Sequence, residues 1–310
     1  MEETLRSSIR GQDEALTAVA NSVRSQRAGL AGDDRPIASF MFMGPTGVGK
    51  TELCKKLASF LFSTASAMIR FDMSEFQEKH TVSRLLGSPA GYVGYDDAGQ
   101  LTEAVRRKPY AVVLFDEFEK AHKDISSLLL QVLDEGFLTD AQGHRVDFRN
   151  TIVVMTTNLG ADILMDLHNS QQGQGEEDDI SPKTKDMVMA VISTAFAPEF
   201  INRIDDFVFF RRLSRSSLRD IVYIRLKELQ DRLAYRFITL DVDEKAIDWL
   251  VEASYDPGYG ARPLNRTISK KIGVQLADQI IKGEIHSGQE ALVRASKDGS
   301  TLTVTRASSV

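Results

Sequence analysis

Four short apolar runs punctuate the first half of the chain: Ala38-Ser39-Phe40-Met41-Phe42-Met43, Ala67 to Phe71, Ala111-Val112-Val113-Leu114-Phe115 and Thr151-Ile152-Val153-Val154-Met155. The runs are continuous, not alternating, which is how strands read when both of their faces are buried. Helical segments separate them, so the pattern predicts an α/β fold built on a parallel sheet with helices on both faces. Ahead of the first run, Ala15, Leu16, Val19, Ala20 and Val23 share one face of a helix spanning Gln12 to Arg27,. A turn-rich stretch, Gly29 to Pro36, leads from it into the first strand. Each run ends on polar residues: Gly44 to Thr51, Asp72-Met73-Ser74-Glu75, Asp116-Glu117 and Thr156-Thr157-Asn158. Ligands of open parallel sheets bind beyond the carboxyl ends of the strands, and these groups all fall there.

Beyond Phe210 the pattern changes. A long amphipathic helix is predicted from Ser214 to Ala234, with Leu218, Ile221, Val222, Leu226, Leu229 and Leu233 apolar. A strand follows at Phe237 to Val242, then helices at Glu244 to Ser254 and Arg262 to Lys282, and alternating runs at Ala291-Leu292-Val293 and Leu302-Thr303-Val304. This is a second, smaller, mainly helical α+β domain. The expected division is 1–212 and 213–310. Residues Gln171 to Pro182 are polar, acidic and without periodicity, and read as a mobile loop. No internal repeat is visible.

Gly44-Pro45-Thr46-Gly47-Val48-Gly49-Lys50-Thr51 is a P-loop in its expected setting, with a strand before it and the helical Glu52-Leu53-Cys54-Lys55-Lys56-Leu57 after it,. Its glycines let successive backbone N–H groups turn toward phosphate oxygens, Lys50 reaches the β- and γ-phosphates, and the Thr51 hydroxyl is a Mg²⁺ ligand. The ligand class is a nucleoside triphosphate. If that ligand is hydrolysed, Asp116 holds the magnesium, directly or through water, and Glu117 polarises the attacking water. Acids at a strand end are also common as a solvated pair. Asn158, ending the neighbouring run, orients the water or serves as a turn or helix cap.

With 42% hydrophobic and 26% charged residues among 310, the chain has the composition of an ordinary globular protein,. A formal net charge of −6 argues against a nucleic-acid groove, despite the local Arg106-Arg107-Lys108,. The single cysteine, Cys54, excludes an intramolecular disulfide and a multi-cysteine metal site,. No apolar stretch reaches the roughly 18 residues of a membrane span. The acidic start, Met1-Glu2-Glu3-Thr4, lacks the bases of a targeting peptide, so either targeting is absent or the sequence is cut from a longer precursor,.

Several phrases recur in one order in a known family: the P-loop, Phe71-Asp72-Met73-Ser74-Glu75-Phe76, Gly91-Tyr92-Val93-Gly94-Tyr95, Leu114 to His122, Glu199-Phe200-Ile201-Asn202-Arg203-Ile204-Asp205 and Gly260-Ala261-Arg262-Pro263-Leu264. From Gly11-Gln12-Asp13-Glu14-Ala15 to the final strands, the chain resembles the second ATPase module of Clp/heat-shock-100 unfoldases, most of all ClpB-type disaggregases. The wording of Phe115 to His122 and Phe148 to Ile152 looks like the mitochondrial ClpB of fungi. The resemblance implies an AAA+ fold, ATP with Mg²⁺, and a hexameric ring threading misfolded or aggregated chains. For the isolated module a helical filament or a monomer stays open. It implies the mitochondrial matrix, with the cytosol as the alternative.

The resemblance also implies roles. Arg203 matches an arginine finger acting in the neighbouring subunit, a device worth roughly 10³ to 10⁵ in rate. Arg262 matches sensor 2. Tyr92 and Val93 lie in the pore loop, where flanking glycines give mobility and an aromatic ring grips many sequences by contact area. Read without the family, Gly91-Tyr92-Val93-Gly94 is more often a structural turn. Ala141 to Val146 corresponds to a second pore loop. Around the adenine the family has two apolar residues before Gly-Gln; here they are Ile9 and Arg10. Ile9 is therefore the candidate base contact, with only the backbone of position 10 in play, and Ile221 is a further cofactor-binding candidate. The family pattern places a substrate domain, a first ATPase ring and a coiled-coil region before this module, and a heat-shock-70 type chaperone acts through those regions.

Three other readings compete. Unfoldases that feed a ClpP-type protease carry Ile-Gly-Phe or Ile-Gly-Leu in a large-domain loop. Gly160 to Pro182 has neither, and Ile272-Gly273-Val274 lies in the small domain. A nucleotide-gated assembly module without turnover would lack a base, but Glu117 is present. A DNA motor disagrees with the acidic balance.

Overall fold

A computed structural model describes residues 1–29, 34–87, 99–170, 180–256, 258–296 and 299–307, without the side chains of 166–170. The first pore loop, with Tyr92 and Val93, lies outside the described residues, as does 171–179 of the acidic segment. Contacts divide the chain into two units, Met1–Pro45 with Gly49–Arg211, and Thr46–Val48 with Arg212–Val310.

The first unit opens with α1 (Glu2–Arg6) and α2 (Asp13–Arg27), then β1 (Ala38–Met43), α3 (Lys50–Phe62), β2 (Met68–Asp72), α4 (Lys79–Leu86), α5 (Gln100–Arg107) and β3 (Val112–Asp116). It continues with α6 (Lys123–Glu135), the hairpin β4 (Phe137–Thr139) and β5 (Arg145–Asp147), β6 (Ile152–Thr157), α7 (Ala161–Ser170), α8 (Pro182–Ala195), α9 (Pro198–Ile201) and β7 (Asp206–Phe209). Five strands form one parallel sheet in the order β2-β3-β6-β1-β7.

Every residue of β1, β3 and β6 is buried, although side chains alternate between the two sheet faces,. Met41, Met43, Val113, Phe115, Val153 and Met155 join one core cluster with Phe118, Leu129, Val188 and Phe200. Their alternates Phe40, Phe42, Val112, Leu114, Ile152 and Val154 have no exposure either, so both faces are covered,. The register aligns Met43 with Thr157 and Asp72 with Asp116, which brings the polar strand ends to one edge.

Two features of this unit depart from the sequence reading. The strand β7 was not anticipated: it is four residues long, begins on an aspartate and, among the described residues, pairs only with β1. The acidic loop does not reach Pro182, because the Ser181 hydroxyl caps α8 by accepting from Thr184 N–H at 3.2 Å and Pro182 starts the helix. Proline suits that first position, where its missing N–H costs no hydrogen bond.

The second unit holds α10 (Arg215–Ala234), β8 (Thr239–Val242), α11 (Glu244–Ser254), α12 (Arg262–Ile268), α13 (Val274–Ile281), β9 (Glu290–Ala295) and β10 (Leu302–Arg306). Its sheet runs β10-β9-β8, with β8 parallel and β10 antiparallel to β9. The predicted strand at Phe237 starts only at Thr239, since Phe237 takes a left-handed φ of 55° and is exposed. The single helix expected from Arg262 to Lys282 is interrupted by a π turn at Ser269–Gly273. Leu264, Ile268, Ile272 and Leu276 are buried at intervals of four, a spacing that drifts around a 3.6-residue helix,. A wider turn in the middle takes up that drift and keeps the four side chains in one core,.

Candidate functional site

The P-loop leaves β1 at Gly44, whose φ is 146°; a Cβ there would lie 2.5 Å from the Phe210 carbonyl oxygen. Only glycine allows the chain to turn so close to the end of β7. Gly47 and Gly49 also have positive φ, at 78° and 110°. Gly49 is the N-cap of α3 and no side chain caps that helix, so its N-terminal turn faces the loop. Lys50 and Thr51 occupy the first turn of α3.

Lys50 is buried, and its ammonium gathers the strand ends. It donates to the Gly44 carbonyl, to Pro45 O at 3.2 Å, to Thr157 O at 3.1 Å and to Asn158 Oδ1 at 2.8 Å. Asn158 thus meets the P-loop lysine directly. Its backbone N–H donates to Glu119 Oε1 at 3.1 Å, while Glu119 Oε2 is buried with no hydrogen-bond partner among the described residues.

Asp116, at the end of β3, is 8% exposed and is held at both oxygens. Arg70 Nε and a terminal guanidinium nitrogen donate to Oδ2 at 2.9 and 2.8 Å, and the Thr156 hydroxyl donates to Oδ1. Glu117 follows in the left-handed region, φ 57° and ψ 50°, and its N–H donates to Thr156 Oγ1 at 3.1 Å. Lys120 Nζ donates to Glu117 Oε2 at 2.5 Å, and this bond raises the lysine's pKa above its ordinary value.

Ile9 is buried, and its Cγ2 lies 4.0 Å from where a Cβ on Gly49 would sit; Arg10 beside it is exposed. Gln12 fastens this entrance to the far end of the unit. Its carboxamide donates to Arg211 O at 2.9 Å and accepts from Arg211 N–H at 3.1 Å.

Arg203 is not brought to Lys50. It is exposed just after α9 and pairs with Asp134 of α6 at 2.7 Å. Its carbonyl accepts from Arg35 at 2.9 Å. Two predicted residues belong to the second unit. Ile221 lies in α10, packed against that unit's core, and Arg262 is the exposed first residue of α12. Ala261 N–H donates to the Gly47 carbonyl at 3.0 Å, both within the second unit. The second predicted pore loop, 141–146, forms the tip of the β4–β5 hairpin and its return strand, where the Asp140 carboxylate accepts from Gln142 and His144 N–H at 2.9 and 2.8 Å.

Thr156, Glu119, Arg70 and Asp134 escaped the sequence reading as site residues. Thr156 carried the clearest signal: with Thr157 it is one of two hydroxyls in a buried strand whose other four residues are apolar, and burial requires each to find a partner,. The glycine cradle, the buried ammonium and the hard oxygens of Thr51 and Asp116 fit a nucleoside triphosphate with Mg²⁺. That ion needs only one or two protein oxygens beside phosphates and water. Among the described residues no cluster of three His, Cys, Asp or Glu side chains is placed to hold a metal, and no helix is long and apolar enough to cross a membrane.

Residues 35–207 match the AAA domain (Cdc48 subfamily) family, and residues 213–293 match the C-terminal, D2-small domain of ClpB protein. The chain is 51% identical over 298 residues to Chaperone protein ClpB 1 of Thermosynechococcus vestitus, covering 96% of this chain and 33% of the relative. It is 53% identical over 298 residues to Chaperone protein ClpB of Mesorhizobium japonicum, with the same coverage. The chain therefore spans about a third of the length of the curated relatives it matches. Among solved structures it resembles a closed-state reconstruction of Hsp104 with ATPγS and FITC casein, at TM-score 0.86 and 45% identity over 99% of this chain and 51% of that one. The extended conformation of the S. cerevisiae Hsp104:casein complex gives the same TM-score and identity, over 98% of this chain and 52% of that one.

Proposed function

Since the chain belongs to the AAA family of ATPase domains and carries the D2-small domain of ClpB proteins, we propose that it is an ATP-hydrolysing unfoldase module that draws misfolded or aggregated polypeptides through a ring of its own copies. One observation carries this reading: the Lys50 ammonium, the Asn158 carboxamide and the Asp116-Glu117 pair converge at the carboxyl edge of one parallel sheet. The complexes of Hsp104 with casein support a polypeptide client.

In this mechanism the P-loop amides and Lys50 hold the β- and γ-phosphates. Lys50 exchanges some of its oxygen partners for phosphate oxygens, while its bond to Asn158 reports whether the γ-phosphate is present. Thr51 and Asp116 would hold Mg²⁺, which when bound neutralises charge on the phosphate oxygens. Glu117 accepts a proton from the attacking water, after its carboxylate turns from Lys120. Arg203 leaves Asp134 to complete the site of an adjacent copy, Arg262 senses the nucleotide, and Ile9 and Ile221 pack the base. Tyr92 and Val93 grip the client. A heat-shock-70 type partner and the mitochondrial matrix, with the cytosol as alternative, complete the proposal; both rest on resemblance alone.

ATP turnover by the assembled chain tests it. Glu117→Gln is expected to retain nucleotide while losing turnover by about 10²-fold or more, and Tyr92→Ala to keep turnover while losing client unfolding. Parental phosphate release from Glu117→Gln would overturn the assignment of the base, and equal loss of both activities in Tyr92→Ala would overturn the role of the loop.

A further inference from the structure

We propose that Thr156 is a positioning residue that sets the geometry of both acids of the catalytic turn through one hydroxyl; the inference rests on the ATPase reading above. Thr156 is 1% exposed, in a strand whose six residues are all buried. Valine has nearly the same shape and would serve such a strand without burying a polar group. The hydroxyl is used twice. It donates to Asp116 Oδ1 and accepts from Glu117 N–H at 3.1 Å.

The donated bond complements the grip of Arg70 on Oδ2, so the Asp116 carboxylate is fixed at both ends. The accepted bond acts where the backbone leaves β3 for the left-handed conformation of Glu117. A residue of this kind adopts that region only when its surroundings hold it there. Fixing its N–H fixes the direction in which the Glu117 side chain departs. Two residues later Asn158 N–H donates to Glu119, so the segment 156–158 fastens the turn 116–119 at both of its ends. Thr156 touches no phosphate in this scheme; it acts through Asp116 and Glu117.

Thr156→Val and Thr156→Ser separate the hydroxyl from the shape. In the assembled chain, Thr156→Val is expected to lower kcat by about 10- to 100-fold while the Kd for ATP changes by less than about threefold. Thr156→Ser is expected to stay within about threefold of the parent in both. Without nucleotide, hydrogen exchange of the backbone amides over 115–118 should accelerate in Thr156→Val and not in Thr156→Ser, a readout independent of turnover. If Thr156→Val fails to fold, Thr156→Cys replaces it, with a thiol as a weak donor and an expected intermediate loss. Parental kcat and parental exchange in Thr156→Val would overturn the role of the hydroxyl while the ATPase stands; equal losses in the serine variant would overturn it too, pointing to the methyl group. Parental turnover in Glu117→Gln would instead overturn the underlying reading, and this inference with it.

Discussion

A carboxylate carried by a left-handed residue leaves the chain in a direction that an ordinary strand residue does not offer. Glu117 adopts that conformation at a cost of about 1–3 kcal/mol, recovered by the surrounding bonds,. Charged groups that the proposed mechanism uses are held in pairs that it must open: Glu117 with Lys120 at the site, and Arg203 with Asp134 away from it. Both pairs are partly exposed, and solvent screening keeps such pairs weak, so they release readily,. Asp206, which begins β7, differs. Burial raises its pKa above the usual 3.8, with Asp205 adding to the rise, while the Phe207 N–H and Lys185 oppose it. A carboxyl whose folded value is raised favours the fold below 3.8 and loses that contribution as pH rises through the folded value,. Asp206→Asn should therefore raise the melting temperature by about 1–2 °C near neutral pH. The gain should shrink toward zero in acid, as scanning calorimetry at the two conditions would show.

At the scale of elements, the turn after β3 is tied to more than β6. Phe118 is 1% exposed and stacks on Phe196 and Phe200, with ring centroids 5.6 and 5.5 Å apart. Phe196 precedes α9 and Phe200 lies within it, and α9 ends two residues before Arg203, so one aromatic column joins the turn of Glu117 to the segment carrying Arg203. Phe118→Ala should cost about 3–5 kcal/mol in urea unfolding, as large cavities do. Loss of under about 1 kcal/mol would show that the column can collapse around the gap. The sequence made β1, β3 and β6 legible because both faces of each are buried, and it made the P-loop legible because glycine spacing encodes backbone shape. The edge strand β7 was hidden by its shortness. The π turn was hidden because Leu264, Ile268, Ile272 and Leu276 still read as one face. Thr156 and Asp134 were hidden because their partners lie in other elements, and pairing across a fold leaves no mark on local periodicity.

At the scale of the whole molecule, each unit has its own core. The second gathers Leu218, Val222, Ile247, Leu250, Leu264 and Val293 without residues of the five-stranded sheet. A fragment of residues 212–310 falls within the usual size of an autonomous domain. It should melt cooperatively by far-UV circular dichroism, and a broad, non-cooperative melt would show that its core depends on the remainder of the chain. The polar strand ends belong to the first unit, so that fragment should bind ATP analogues far more weakly than the whole chain does.

The strand order β2-β3-β6-β1-β7 sets a timetable for synthesis. The first strand of this sheet in chain order, β1, has neither neighbour until more than a hundred residues later, when β6 emerges, and its other flank waits for β7. At ~5–20 residues per second, a nascent chain carries Phe40, Met41, Phe42 and Met43 unpaired for roughly 5–20 s. Such a strand is itself a sticky segment on the ribosome. Until β6 and β7 are made, β1 is an apolar strand with two open edges, a state in which a growing chain needs shelter,.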